Sequence, residues 1–569
     1  MTFSLFQYLP FSSSTTRLQG WTYLGGIALF SIAFLVFLNS SVSFVVTDLI
    51  GQKKGVGNVV GTLGFVDEIV VLVACPAWGL LSDRIGVRNV AVTGYTIIAA
   101  SLAVFVQARN VYPELVLARI FFAVGASAVA TMVTAIIPSL TNEDNSHSEG
   151  PAKNKRFGTQ RLSVAFSVES EATITPERYC QTANGTSSPE VKAGDSSTLA
   201  GLVGLFTGLG ALVALSLFLP LPTQFGEIEG VTPGQAISYS FYVVGAIALL
   251  IALVVAIGLR NLRGEEGKGW KNLLGHKSHC DDALEADGTA SQRMVPWLKQ
   301  LRSAILLGGT DSRIALGYLG GAVARASSVA ISLYIPLYVN TFFMDRGFCQ
   351  GSPNDPSSEL KEECRTAYIL SSILTGVAQL MALLCAPLFG YLSSRTGRIN
   401  YPVAVGAVFG VIGYIILPNM SSPEIKDVDG RGGTPIIFLV VSLIGISQIA
   451  AIVCSLGSLS RGLIETEPKS PLVGQQTSVA PDQEEIGEDE PLLRTAIDGQ
   501  EISRIQLKGA CAGIYSLCGG AAILLLTKLG GYMFDKVSNG APFYMMAALN
   551  CILLAVSLLL DASAAFTRT

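Results

Sequence analysis

The chain has 569 residues, 50% of them hydrophobic and only 14% charged, with a formal net charge of −4 and a mean hydropathy of +0.50. A soluble globular protein carries about 25% charged residues, so this composition excludes a soluble domain, and nothing in it marks a nucleic-acid binder. The ten cysteines fall mostly inside apolar runs, which excludes a dense disulfide framework.

Residues 1–20 lack the basic start, short apolar core and small-residue cleavage site of a secretory signal, so the first apolar run is expected to stay in the protein. A bilayer core about 30 Å thick needs roughly 20 apolar residues per helix. Twelve such runs follow, at 21–45, 57–79, 89–108, 112–138, 199–221, 236–259, 314–343, 366–389, 400–418, 435–459, 508–528 and 541–560. They are numbered spans 1 to 12 below, and Trp21 stands at the head of the first as an interfacial aromatic. One set of connections carries Arg84/Arg88, Lys153/Lys155/Arg156/Arg161, Arg260/Arg263/Lys268/Lys271, Arg395/Arg398 and Arg461/Arg504/Lys508. The opposite set is poorer in cations, so the retention of positive charge in the cytosol predicts both termini there. The fold class expected is an all-α membrane protein with twelve transmembrane helices.

Spans 2 and 3 are separated by Gly79-Leu80-Leu81-Ser82-Asp83-Arg84-Ile85-Gly86-Val87-Arg88, a tight charged turn on the predicted cytosolic face. This stretch resembles the signature G-x-L-S-D-R-x-G-R-R of the major facilitator superfamily. Gly79, Leu81, Ser82, Asp83, Arg84, Gly86 and Arg88 match, and Val87 replaces the first Arg of the final pair. The halves of the chain repeat one another. Pro76 and Gly79-x-Leu81-Ser82-x-Arg84-x-Gly86 recur as Pro387 and Gly390-x-Leu392-Ser393-x-Arg395-x-Gly397, with Ser394 where the first half has Asp83. Ala200-Gly201-Leu202 recurs as Ala512-Gly513-Ile514, and Phe241-Tyr242 as Phe543-Tyr544.

The resemblance implies two six-helix bundles that rock about a central site, here 21–260 and 313–560, as in a secondary transporter of fungal type with no defined substrate group. It also implies that Asp83 locks one face through charge and helix-end contacts. Outside the resemblance lie the polar insertions 142–198 and 461–506, the inter-bundle linker 261–312, and the tails 1–20 and 561–569. The insertions and linker cannot bury a core and are expected to be mostly disordered. Within the linker, the amphipathic stretch Met294–Leu301 is expected on the membrane surface.

Ionisable residues deep in spans are functional candidates. Asp67 and Glu68 lie near the middle of span 2, about 100° apart around the helix, so they cannot face one partner. A carboxylate there suits proton binding and release. The repeat-related position of Glu68 is Gln379, which keeps the shape without the proton. Arg119 opens a span-4 stretch, Arg119-Ile-Phe-Phe-Ala-Val-Gly125, that resembles the family's R-x-x-x-G-x-G and serves either the proton path or a span-2 or span-1 acid. Arg325 in span 7 stands among small residues, Gly320 to Ser328, and suits either an anionic or zwitterionic substrate or an internal pair with Glu68 or Asp67. Gly201, Gly204, Gly208 and Gly210 of span 5 read as close helix packing.

The loops add four expectations. Cys349 and Cys364, in one non-cytosolic loop, should form a disulfide. The acceptor patterns at Asn39, Asn184 and Asn419 should stay unglycosylated. Glu488 followed by Leu492-Leu493 resembles an acidic dileucine signal read by clathrin-type adaptors, which favours a vacuolar or lysosomal membrane over the plasma membrane. The histidines, His147, His276 and His279, lie in loops, and no HExxH or nucleophile elbow occurs, so neither an enzyme nor a cofactor is expected. The partners expected are a small-molecule substrate, protons and the lipid bilayer. A facilitator without coupling, or a receptor on the same fold, is the alternative.

Overall fold

The computed structural model describes residues 9–12, 14–52, 56–141, 195–228, 230–263, 265, 268–269, 296–345, 365–395, 401–426, 433–464 and 504–566. Twelve of its helices are long and apolar enough to cross a bilayer. They are Arg17–Leu49, Val59–Ile85, Val87–Phe105, Val111–Thr141, Ser196–Gly226, Pro233–Gly258, Ser312–Met344, Ile369–Arg395, Tyr401–Asn419, Ile436–Ile464, Lys508–Lys536 and Ala541–Ala562. Each corresponds to one predicted span and keeps its number. A helix satisfies its own backbone where no water can do so, which is why apolar runs of this length take this form. Several helices outrun their apolar windows. Span 1 starts at Arg17 because Thr16 and Gln19 close a reciprocal capping box, with Thr16 N donating to Gln19 Oε1 at 2.9 Å.

The internal repeat is structural. Phe241 of span 6 packs against Phe37 of span 1, ring centroids 5.0 Å apart. Its counterpart Phe543 of span 12 packs against Tyr338 of span 7 at 5.6 Å. Spans 5 and 11 each carry one π-helical turn, Ala214–Phe218 and Leu526–Gly530, in the same register as the Ala200/Ala512 repeat.

The two bundles meet most closely through glycine at the face where span 1 begins and span 2 ends, here the terminal face. A Cβ on Gly79 of span 2 would stand 2.9 Å from Gly513 Cα of span 11 and would also strike Gly509 O. A Cβ on Gly201 of span 5 would stand 2.8 Å from Gly390 Cα of span 8. These two contacts, related by the repeat, let backbones touch where any side chain would hold them apart. The glycines of span 5 therefore do pack, with Gly204 against Ala386 and Gly208 against Leu383.

A helix also runs from Trp297 to Thr310 in the linker, longer than the amphipathic stretch read from the sequence. Its Gln300 and Ala304 are buried against the bundles. The predicted Cys349–Cys364 bridge, Gly397, Asn184, the three histidines and the Glu488/Leu492/Leu493 signal lie outside the described residues.

Replacing Gly79 with Val should separate spans 2 and 11 on the terminal face, at a cost of about 1–3 kcal/mol for the overpacked state. Cys511, fully buried on span 11 against Tyr318 of span 7, should then alkylate faster as span 11 is displaced, as read by peptide mass spectrometry. Gly64→Val in the same span meets nothing within 4 Å and should leave the rate unchanged.

Candidate functional site

Polar assemblies interrupt the apolar interior at the terminal face and at mid-span. The first is built around the charged turn. Gly86 has φ +92°, a conformation that favours glycine, and this turns the chain from Ile85 into Val87 without a loop. Asp83 lies in the last turn of span 2 and points across the bundle interface. Its Oδ1 accepts from Gly509 N at 2.8 Å, and its Oδ2 accepts from Ala510 N and from Gln300 Nε2, each at 2.8 Å. The carboxylate thus caps the free N–H groups of span 11 from another helix, where the helix dipole favours negative charge. Ser82 Oγ donates to Gly79 O at 2.7 Å and stays local.

The linker closes the same assembly from outside. Glu265 Oε2 accepts from Val87 N at 2.7 Å, capping span 3. Glu265 Oε1 pairs with Lys508 Nζ at 2.5 Å and Lys268 Nζ at 3.2 Å. Lys508 is only 1% exposed and also donates to Ser139 Oγ at 2.6 Å, at the end of span 4. The Arg84 guanidinium lies 3.8 Å over the Trp297 ring. Arg88 makes no polar contact among the described residues. Sequence reading missed Glu265, Gln300, Trp297 and Lys508, because Lys508 reads as one more loop cation and the linker as a tether.

The second half solves the same problem differently. Ser394 donates to Tyr391 O at 2.7 Å within its own helix and makes no crossing hydrogen bond among the described residues. Span 5 is capped instead by its own Asp195, which accepts from Ser197 N at 3.1 Å. Arg461, from the end of span 10, donates to Ser393 O at 2.8 Å and pairs with Asp195 Oδ1 at 3.8 Å. Arg395 is exposed and stacks 5.1 Å over Tyr391 of its own helix. The residue that bridges spans 5 and 8 is therefore Arg461, not Arg395.

At mid-span the two adjacent acids part company. Asp67 faces span 4, where Arg119 Nε donates to its Oδ1 at 2.8 Å and Arg119 Nη2 pairs with its Oδ2. The same Nη2 donates to Asn39 Oδ1 of span 1. Arg119 is 3% exposed and Asp67 13%, whereas Asn39 is exposed, so the cluster borders open space. Of the two roles open to Arg119, the structure shows the partner of a span-2 acid.

Glu68 faces span 11 instead. Arg325 packs on Gly519, whose added Cβ would meet Arg325 Cγ at 2.7 Å, and Glu68 Oε2 lies 4.0 Å from the corresponding point on Gly520. The Arg325 stem of one bundle and the Glu68 carboxylate of the other therefore flank a single Gly-Gly step. Neither Glu68 nor Arg325 has an ion-pair partner within 4 Å among the described residues. Beside Arg325, Gln448 Nε2 of span 10 donates to Ser328 Oγ at 2.7 Å, and Tyr515 shares a hydrogen bond of 3.1 Å with Ser455. Gln379 is exposed and joins none of these groups. Asn39 and Gln448 were legible only as polar residues inside apolar runs.

Residues 17–147 and 190–468, more than half of the chain, match the sequence profile of the Major Facilitator Superfamily. The fold is similar to the solved structure of the proton:xylose symporter XylE bound to 6-bromo-6-deoxy-D-glucose. That likeness has a TM-score of 0.52 and 13% identity over 96% of this chain and 95% of that one. It is similar also to a double Trp mutant of XylE, with a TM-score of 0.52 and 11% identity over 94% of each chain. At these identities the likeness is one of fold, and neither match reaches a fungal branch. No curated protein matches the chain.

Removing one partner of a buried ion pair leaves an uncompensated charge and costs about 3–5 kcal/mol, whereas replacing both by apolar groups is often neutral. Arg119→Met and Asp67→Leu should each lower stability by that amount in detergent unfolding. The double variant should recover most of the loss.

Proposed function

The chain belongs to the major facilitator superfamily, a family of transporters, and we propose that it carries a small solute across the bilayer by alternating access, coupled to protons at Glu68. The observation that carries the coupling is the division of labour in span 2. Asp67 is committed to Arg119 and Asn39, while Glu68 keeps a carboxylate with no ion-pair partner among the described residues, beside the bundle interface. A carboxylate in low dielectric that faces a cation of the opposite bundle changes its proton affinity when the bundles move apart, which is what coupling requires. Protonation of Glu68 would weaken its attraction to Arg325, so proton binding and bundle separation are linked.

Arg325 is the residue proposed to meet the substrate. A guanidinium without an ion-pair partner among the described residues presents paired donors to a carboxylate or phosphate, and Gln448, Ser328 and Tyr515 supply neutral hydrogen bonds nearby. This set favours an anionic or zwitterionic solute over a neutral sugar, although XylE is a proton:xylose symporter. The state described is closed at the terminal face, and rocking of the bundles 21–260 and 313–560 would part Asp83 from span 11 and Gly201 from Gly390. The cation bias of the loops supports a cytosolic terminal face. The Glu488/Leu492/Leu493 signal supports adaptor sorting to a vacuolar or lysosomal membrane, whose acidic lumen would supply the proton gradient.

The test is flux in proteoliposomes, using solutes first found by thermal stabilisation of the purified protein. Glu68→Gln should reduce pH-gradient-driven uptake about tenfold or more, as loss of the titrating group would, at unchanged protein abundance. Arg325→Ala should abolish substrate-induced stabilisation. Uptake by Glu68→Gln with the pH dependence of the native chain would overturn the coupling.

A further inference from the structure

The helix Trp297–Thr310 buries a narrow side and exposes a broad one that mixes apolar and basic residues. Gln300 and Ala304 are buried, whereas Leu298 is 82% exposed, Leu306 54% and Ile305 52%. Lys299 and Arg302 are exposed on the same side. At 100° per residue, Ile305, Leu298, Arg302, Leu306 and Lys299 fall in that order across one arc of about 120°. Apolar and basic residues interleaved on one helix face make the pattern that lies in the boundary between lipid headgroups and acyl chains.

The position of the helix agrees. Only Asp311 separates it from span 7. Tyr318, two turns inside that span, donates its hydroxyl to Ala304 O at 3.1 Å, and Gly308 packs on the Tyr318 ring. The helix therefore folds back along the first turns of span 7, with its outer face turned away from the bundles. Its inner face holds the closed assembly, through Gln300 on Asp83 at 2.8 Å and Trp297 under Arg84 at 3.8 Å.

We propose that the outer face of the linker helix is a docking surface for anionic phospholipid, and that lipid bound there steadies the closed terminal face. The apolar side chains enter the acyl boundary, Lys299 and Arg302 meet lipid phosphates, and the helix is thereby held against Asp83 and Arg84. Each basic residue near an anionic leaflet should favour binding roughly fivefold, an attraction that salt screens. The proposal rests on the cytosolic placement of this face, because anionic lipid is concentrated there. The experiment below reads lipid contact without transport, so its failure leaves the transport reading standing.

The full chain carrying Leu298→Trp is reconstituted in phosphatidylcholine vesicles containing a minor fraction of phosphatidylserine, with either lipid brominated on its acyl chains. The added Trp should be quenched beyond the native chain, and more strongly by brominated phosphatidylserine. High salt, or Lys299→Gln with Arg302→Gln, should remove the preference but not the contact. The same two substitutions should raise Cys511 alkylation in anionic vesicles and leave it unchanged in phosphatidylcholine alone. Absence of added quenching would show that the face meets solvent, a second copy or another protein, and would overturn the proposal. Equal quenching by both lipids would overturn its anionic selectivity, and unchanged alkylation would overturn the link to the closed face.

Discussion

At the terminal face the two bundles are joined through one carboxylate held by the backbone of the other bundle. Asp83 accepts from Gly509 N, Ala510 N and Gln300 Nε2, so the first turn of span 11, the last turn of span 2 and the linker share a single anion. Free N–H groups at a helix start need acceptors, and a buried carboxylate needs donors. Each requirement is met only while the bundles touch. A hydrogen bond to a charged group contributes about 1.5–3 kcal/mol, and water can replace each partner once the bundles part. Such a contact is strong enough to favour one state and weak enough to be exchanged, as a two-state carrier needs.

The glycines make that contact possible. Gly79 and Gly513 bring span 11 close enough for the Asp83 side chain to reach its peptide groups, and Gly201 and Gly390 repeat the approach between spans 5 and 8. The halves share this backbone geometry but not the charges. The first half uses an acid from span 2, and the second uses Arg461 of span 10 with Asp195 of span 5. The proposed proton-linked chemistry is equally one-sided, since the repeat places Gln379 where the first half has Glu68.

The sequence carried the fold because its signals are local. Apolar length and the repeated turn do not depend on what packs against what, and the Phe241/Phe543 repeat reappears as equivalent contacts with spans 1 and 7. Asp83, Gly86 and Arg119 were legible because a motif marks them. Their partners were not. Lys508 and Glu265 read as loop charges until the fold buries one against the other. Arg395 matched the motif, yet Arg461 makes the crossing, because only three-dimensional proximity selects which cation faces Asp195. The adjacency of Asp67 and Glu68 showed that they must face different ways, but which one keeps Arg119 is decided by span 4, distant in the chain.

The central claim is that Asp83, through span 11, holds the terminal face closed. It is tested most directly by the distance between spin labels at residues 17 and 395, both exposed on that face and one in each bundle, measured by double electron–electron resonance in a cysteine-depleted chain with and without Asp83→Asn. The account predicts one short-distance population in the native sequence and a second, longer one in the variant. Identical distributions would contradict it.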